Sequence, residues 1–294
     1  MTAESRPLRY FVAVAEERSF TRAAARLGIA GPALSRAIRN LETELGVRLF
    51  ERSTRVVELT EPGTVLLTHA RPALEALDAA ARRAVRASAP HRSLLLAVKA
   101  DNDGGLLEDI LAATAAEPDA EPVAVRLCSW REHTQLLRAG EADAALMFEP
   151  YDPAGIDADV VAVEPRVVAL PAGHALAGAS RVRLADLGLA PEDLGERAER
   201  DIGALGVRDL AQLLALVGLG TTTTVLPRSV AARYPREAVV YVPLEDCPPA
   251  ALVIAWPERS RSRGVAALVR AAAAVAESRG MSADVEAPQR IPGR

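Results

Sequence analysis

Ser19-Phe20-Thr21-Arg22-Ala23-Ala24-Ala25-Arg26-Leu27-Gly28-Ile29-Ala30-Gly31-Pro32-Ala33-Leu34-Ser35-Arg36-Ala37-Ile38-Arg39-Asn40-Leu41-Glu42 is the stretch on which the fold turns. Thr21 offers a hydroxyl to cap a helix, Ala23 and Ala24 keep its inner face small, and Gly28 supplies the left-handed residue that ends it. Gly31 as N-cap and Pro32 at the first helical position open the next helix. Two helices joined by a tight glycine turn make a helix-turn-helix. In the second of them Leu34, Ile38, Leu41 and Leu45 form the inner stripe. Ser35, Arg36, Arg39 and Thr43 fall on the opposite face, an edge of hydroxyl and guanidinium groups suited to a major groove.

Taken alone, such a face is more often a solvated surface than a recognition helix. The flanking sequence favours DNA. Upstream, Leu8, Phe11, Val12 and Ala15 mark a packing helix. Downstream, Gly46 stops the groove-facing helix, and Phe50-Glu51-Arg52, Ser53-Thr54-Arg55 and Val56-Val57-Glu58-Leu59 read as two short strands around a basic turn. That wing would bring Arg52, Ser53 and Arg55 to phosphates or a minor groove. Each element supplies what the next one needs.

These residues resemble the LysR-type transcriptional regulators. The resemblance lies in Leu8 to Glu16, Ser19 to Ala24, Pro32 to Ile38, Leu41 to Gly46, and Leu49 to Ser53 followed by Leu59-Thr60. It implies that Pro32, Ser35 and Arg36 sit where that family meets bases and phosphates, and that Arg55 sits where its wing meets the backbone. With Thr21, Arg39, Thr43, Arg52 and Ser53 they make up the expected DNA-facing set. The chain departs from the family at Ala30 (commonly Ser or Thr), Gly31 and Ala37 (commonly Gln) and Asn40 (commonly basic). The missing amide that would read adenine shifts the expected preference toward DNA shape and phosphates.

The chain has 294 residues, half of them hydrophobic, enough for about two domains of roughly 100 to 200 residues. Its net charge of −4 is divided unevenly: residues 1–90 hold 14 Arg against 10 acidic residues, and the remainder carries −8. The positive end is the end with the motif. Lys99 is the only lysine, as a GC-rich coding bias would produce. Cys128 and Cys247 lack metal-ligand spacing and are expected to be free thiols, with redox sensing as the alternative. No apolar run approaches the roughly 20 residues of a membrane span, so a soluble cytoplasmic protein is expected.

From Thr60-Glu61-Pro62-Gly63 onward, Leu66, Ala70, Ala73, Leu74, Leu77, Ala81 and Ala84 run along one side of a long helix. The stripe fits pairing with a second copy, and also packing on its own domain; the resemblance favours the dimer. Pro72 predicts a kink. A twofold pair would read an interrupted inverted repeat on duplex DNA. Ser88-Ala89-Pro90-His91 reads as a hinge.

Beyond it, apolar runs alternate with amphipathic helices: Leu94 to Val98, Leu106 to Ala116, Val123 to Cys128, Glu132 to Ala139 and Ala144 to Phe148, a βαβαβ pattern. Val160 to Val163, Val167 to Leu170, a helix Asp209 to Leu216, Thr222 to Leu226 and Val239 to Val242 make a second run, and Leu252 to Trp256 with helix Gly264 to Glu277 returns to the first. Gly140 to Leu146, Leu170 to Ala177 and Leu184 to Leu187 resemble the family's effector domain, which looks like a two-lobed periplasmic binding protein. The whole thus reads as α plus α/β. Residues 1–63 form a winged helix-turn-helix, 64–90 a linker and dimerisation helix with hinge, and 91–280 a regulatory domain. Its lobe I spans about 91–162 and 257–280, lobe II about 163–256, and 281–294 form a disordered tail.

Ligands of open α/β sheets lie beyond the carboxyl ends of the strands. The candidates for a small-molecule effector are therefore Lys99, Asp101 and Asn102, then Ser129 and Trp130, then Phe148 and Glu149. Lys99 is either an anion anchor or a solvated surface residue, and Trp130 a stacking wall or core. Thr221 to Thr224, where the family is apolar, suits a half-exposed strand or a polar ligand. No phosphate loop, dinucleotide fingerprint or nucleophile elbow occurs, and His69, His91, His133 and His174 lack metal-ligand spacing, so neither an enzyme nor a cofactor or metal is expected. An architectural DNA-binding protein without ligand control is the other rival, and the large second domain speaks against it. The remaining expected partners are a second copy or a tetramer, and RNA polymerase.

Overall fold

The computed structural model describes residues 5–52, 57–87, 93–118, 120–129, 132–194 and 203–281. The chain divides into two compact units, Met1–Val85 and Arg86–Arg294.

The first unit contains α1 (Ser5–Glu17), α2 (Phe20–Leu27), α3 (Gly31–Leu45), β1 (Phe50–Arg52), β2 (Val57–Leu59) and α4 (Glu61–Ala87). Its core gathers Phe11, Ala23, Leu34, Ile38, Leu41, Leu49 and Phe50. Phe50 meets Phe11 in a tilted pair at 5.3 Å and Phe20 edge-on at 5.8 Å, each pair worth about 1 kcal/mol beyond its buried area. Two caps differ from expectation. Ser19, extended at φ −161° and ψ 121°, caps α2 through its hydroxyl, which accepts from the Arg22 N–H at 3.3 Å. Thr21 already lies inside the helix, where its hydroxyl cannot serve as cap. Ala30, also extended, precedes α3, so Gly31 is its first residue and Pro32 its second. In α1 the fully buried positions are Phe11, Ala13, Val14 and Ala15, whereas Leu8 and Val12 are only partly covered.

α4 continues through Pro72. Ala70, Leu74 and Ala79 are buried, whereas Ala73, Leu77, Ala81 and Ala84 of the same expected stripe are exposed. Arg71 pairs with Glu16 of α1 at 3.2 Å, and Arg9 of α1 pairs with Asp78. α4 is therefore fastened to its own unit through these contacts, while Val65, Leu77 and Val85 remain more than half exposed. The expected hinge at residues 88–91 and the tail from 282 onward lie outside the described residues.

The second unit is built on two sheets. The first has the order β4-β3-β5-β10-β6, from β3 (Leu94–Val98), β4 (Val123–Leu127), β5 (Ala144–Phe148), β6 (Ile156–Glu164) and β10 (Ala250–Pro257). β3 runs parallel to β4 and β5, and β10 antiparallel to β5 and β6. Both faces are covered, and the side chains alternate accordingly. Leu94, Leu96 and Val98 face α5 (Leu107–Ala115) and α9 (Arg263–Ser278), whereas Ala97, Ala145 and Met147 face α6 (Glu132–Arg138). The second sheet, β8-β7-β9, is antiparallel throughout and comprises β7 (Arg166–Pro171), β8 (Thr224–Pro227) and β9 (Val239–Pro243). Ala169, Leu226 and Val239 pack on α7 (Leu210–Gly218), and α8 (Arg228–Ala232) follows β8.

The lobe limits differ from the expected ones. β10 pairs with β6 from Ala250↔Glu164 to Pro257↔Ile156, so Val163, Glu164 and residues 250–256 belong to the first sheet. The chain leaves that lobe at Pro165 and returns before Ala250. The return of Leu252 to Trp256 to the first lobe is as expected, and it is the bound drawn at residue 256 that is displaced. None of Thr221 to Thr224 is buried, in keeping with a half-exposed strand.

Candidate functional site

In the first unit the edge of α3 is set by its spacing. Pro32, Arg36, Arg39 and Thr43 are exposed and Ser35 partly so, opposite the buried Leu34, Ile38 and Leu41. Among the described residues neither Arg36 nor Arg39 has an ion-pair partner, whereas several other arginines of the unit are held by acids. Arg26 pairs with Glu16 at 2.8 Å and Arg22 with Glu17 at 3.4 Å. Among the described residues Arg6, Arg18 and Arg48 are likewise without an acid, but Arg36 and Arg39 share one helix edge three residues apart, where an anionic polymer would meet both. Thr43 is less available than its position suggests, since its hydroxyl donates to the Arg39 carbonyl at 2.8 Å.

Glu42, overlooked in the sequence because it reads as one more surface acid, joins α3 to the wing. Its Oε1 accepts from the backbone N–H groups of Leu49 at 2.9 Å and Phe50 at 3.4 Å. Thr60 closes the other side, its hydroxyl donating to the Arg48 carbonyl at 2.7 Å and accepting from the Gly63 N–H at 3.1 Å. β1 and β2 pair antiparallel as expected, from Phe50↔Leu59 to Arg52↔Val57. Ser53 and Arg55, expected in the wing, and the Arg52 side chain lie outside the described residues.

In the second unit a cavity of about 660 Å³ opens between the two lobes, within the range of small-molecule sites. Of the residues expected there, Lys99, Asn102 and Phe148 line it. Asp101, Ser129 and Glu149 do not. Asp101, at φ +58°, points to the other lobe: one carboxylate oxygen accepts from the Tyr234 hydroxyl at 3.0 Å, and the other from Arg233 at 3.3 Å. Arg233 also reaches Asp103 at 3.2 Å, a carboxylate that accepts from the first-turn Leu107 N–H of α5. Ser129 is exposed, its N–H donating to Glu132 at 2.8 Å. Glu149 lies by Arg166, and burial raises its pKa against that neighbour's pull. Trp130 lies outside the described residues.

The sequence rule selects strand ends, but not which side chain beyond them turns inward. It therefore missed His133, Thr134, Gln135, Arg138, Tyr151 and Thr224, which also line the cavity. Burial pulls the Lys99 amine down to about 8, against the raising influence of Cys128, Asp209 and Asp101. Burial, helped by Lys99, holds His133 near 4, so its imidazole is neutral at physiological pH. The lobes are joined elsewhere by Glu164, which accepts from the Ser229 hydroxyl at 2.6 Å and from its N–H at 3.2 Å.

Comparison with known proteins agrees with both halves of this geometry. The family model described as bacterial regulatory helix-turn-helix protein, lysR family, matches residues 5–64, and that of the LysR substrate binding domain matches residues 87–277. A protein of Mycobacterium xenopi described as a probable hydrogen peroxide-inducible genes activator is 43% identical over 176 residues, 60% of this chain and 93% of that one. The Hca operon transcriptional activator HcaR of Escherichia coli is 32% identical over 272 residues, covering 86% and 91%. Among solved structures, full-length CbnR complexed with its target DNA superposes with a TM-score of 0.57 at 25% identity, over 93% of this chain and 100% of that one. A helix-turn-helix with an open arginine edge and a separate two-lobed domain with a ligand-sized cavity, matched end to end in this way, place the chain in the LysR family of transcriptional regulators.

Proposed function

We propose that the chain binds an interrupted inverted repeat as a homodimer or dimer of dimers, and that a small effector in the interlobe cavity alters how the bound subunits are posed. The observation that carries this reading is the α3 edge, whose two arginines have no intramolecular acid to satisfy them among the described residues. No side chain caps the amino end of α3, and a DNA phosphate is the natural acceptor for its N–H groups. The exposed Leu77 and Val85 of α4 supply the apolar seam for a second copy. The chain works in the cytoplasm without enzymatic activity, needs no cofactor beyond the effector, and meets RNA polymerase at the promoter. The absence of a membrane-crossing helix among the described residues is compatible with that location.

DNase footprinting upstream of the chain's own gene tests this. Two protected half-sites about one DNA turn apart are expected, with their spacing or flanking pattern changed by an effector. Equal affinity for promoter and random duplex at physiological salt would end the proposal.

The peroxide-inducible description of the M. xenopi relative brings thiol chemistry forward as a second reading. The cysteines do not support it. Burial pushes the Cys128 thiol up to about 11 and raises that of Cys247. At pH 7 only about one Cys128 in 10⁴ is thiolate, so a thiol reagent should modify it about 10²-fold more slowly than free cysteine. DNA binding by Cys128→Ser should respond to peroxide no differently from the parent; rapid labelling of the folded chain would revive the redox reading.

A further inference from the structure

The two lobes line the cavity differently, although the first also brings Met147 and Phe148 and the second Thr224. The titratable and amide groups come from the first lobe, among them Lys99 after β3, Asn102 in the following loop and His133 at the start of α6. The second lobe contributes mostly apolar side chains, with Leu210 and Leu213 of α7 and Leu226 of β8. Arg138 also reaches the cavity, but its charge is paired with Asp152 at 2.9 Å, and its Nε and Nη2 donate to the carbonyls of Ala154 and Asp152. His133 is only 6% exposed, and its Nε2 is the one buried side-chain polar atom among the described residues with no hydrogen-bond partner. An unsatisfied buried polar atom in the wall of a cavity is costly until a ligand meets it.

We infer that the cavity takes a compact monocarboxylic acid with an apolar body, its carboxylate between the Lys99 ammonium and the His133 Nε2–H and its body against the second lobe. This rests on the reading of the cavity as an effector site and adds the chemical class. A cationic ligand would be repelled by Lys99. A doubly charged phosphate ester would have Lys99 alone to neutralise it, because Arg138 is already paired.

The choice of an anion carries a pH signature. Lys99 is surrounded by Asp101 of its own loop, Cys128 after β4, His133 of α6 and Asp209 at the cap of α7. Cys128 titrates near 11 and His133 near 4, so between pH 7 and 9.5 Lys99 is the member whose charge changes. A bound carboxylate stabilises the protonated amine, and affinity should fall about ten-fold per pH unit above about 8.

The test uses the full chain, thermal stability and calorimetry, and three matched sets: phenylacetate, hexanoate and cyclohexanecarboxylate, each with its amide and its amine. At pH 7 at least one acid should stabilise the chain while its amide and amine do not. Lys99→Met should weaken that acid about 30-fold and His133→Phe about 10-fold. The pH profile of the parent chain supplies the same information should either variant fail to fold. Silence from all three acids, an amide binding as tightly as its acid, undiminished affinity in Lys99→Met, or a flat pH profile would each overturn the inference. A gel shift with the same compounds separates this from the regulatory reading. An acid that binds without altering the DNA complex supports the ligand class and sinks the effector role. A DNA response confined to neutral or cationic compounds does the reverse.

Discussion

Arg36→Ala binds the chain's promoter about 10²-fold more weakly than the parent in a gel-shift titration, with thermal stability unchanged. A guanidinium that reads a base edge or a phosphate contributes about 1–3 kcal/mol, and a twofold dimer loses it at both half-sites. Stability is spared because Arg36 is exposed and, among the described residues, forms no ion pair whose loss would leave an acid stranded. Arg26→Ala is the contrasting case. Its guanidinium is held by Glu16 at 2.8 Å, and its removal should change DNA affinity less than about three-fold. Equal losses for the two variants would mean that bulk charge, not the α3 edge, holds the DNA.

Gly63→Ala should cost about 3 kcal/mol or more in the N-terminal unit's urea transition, and should abolish promoter binding with it. A Cβ at Gly63 would stand 2.1 Å from the Leu49 carbonyl oxygen and 3.0 Å from its carbon. Neither backbone can retreat readily. The same Leu49 oxygen accepts from the Thr60 N–H at 3.0 Å, and the Leu49 N–H donates to Glu42. One added methyl group therefore strikes the junction that joins α3, the wing and α4. Gly31→Ala is the control: a Cβ there meets nothing within 4 Å, and the change should leave stability unaltered or raise it slightly. If Gly63→Ala unfolds at the parent's urea midpoint, the root of the wing yields more than its hydrogen bonds suggest.

The DNA-facing half was legible in the sequence to the extent that its elements are local. Helix spacing put Leu34, Ile38 and Leu41 inside and Arg36 and Arg39 outside without reference to any distant residue. Cap identities were less legible, since a hydroxyl caps only from an extended residue, and Ser19 and Thr21 compete within one turn. In the regulatory half, the strands of the first lobe could be read from their apolar runs. The partnership of β10 with β6 could not, nor could the antiparallel pairing within the second sheet. The cavity was the least legible: strand-end reasoning reached Lys99, Asn102 and Phe148, but also drew in Asp101, which turns away to Arg233 and Tyr234.

The amino-acid sequence by itself determined the helix-turn-helix, its outward arginine edge and the family, because periodicity and turns act between residues a few positions apart. Only the tertiary structure decided which loop residues meet across the two lobes, that His133 is sealed in without a partner for Nε2, and that Gly63 lies against Leu49. Those relations join positions far apart in the chain, and their energies arise from burial and packing, which exist only once the chain has closed on itself.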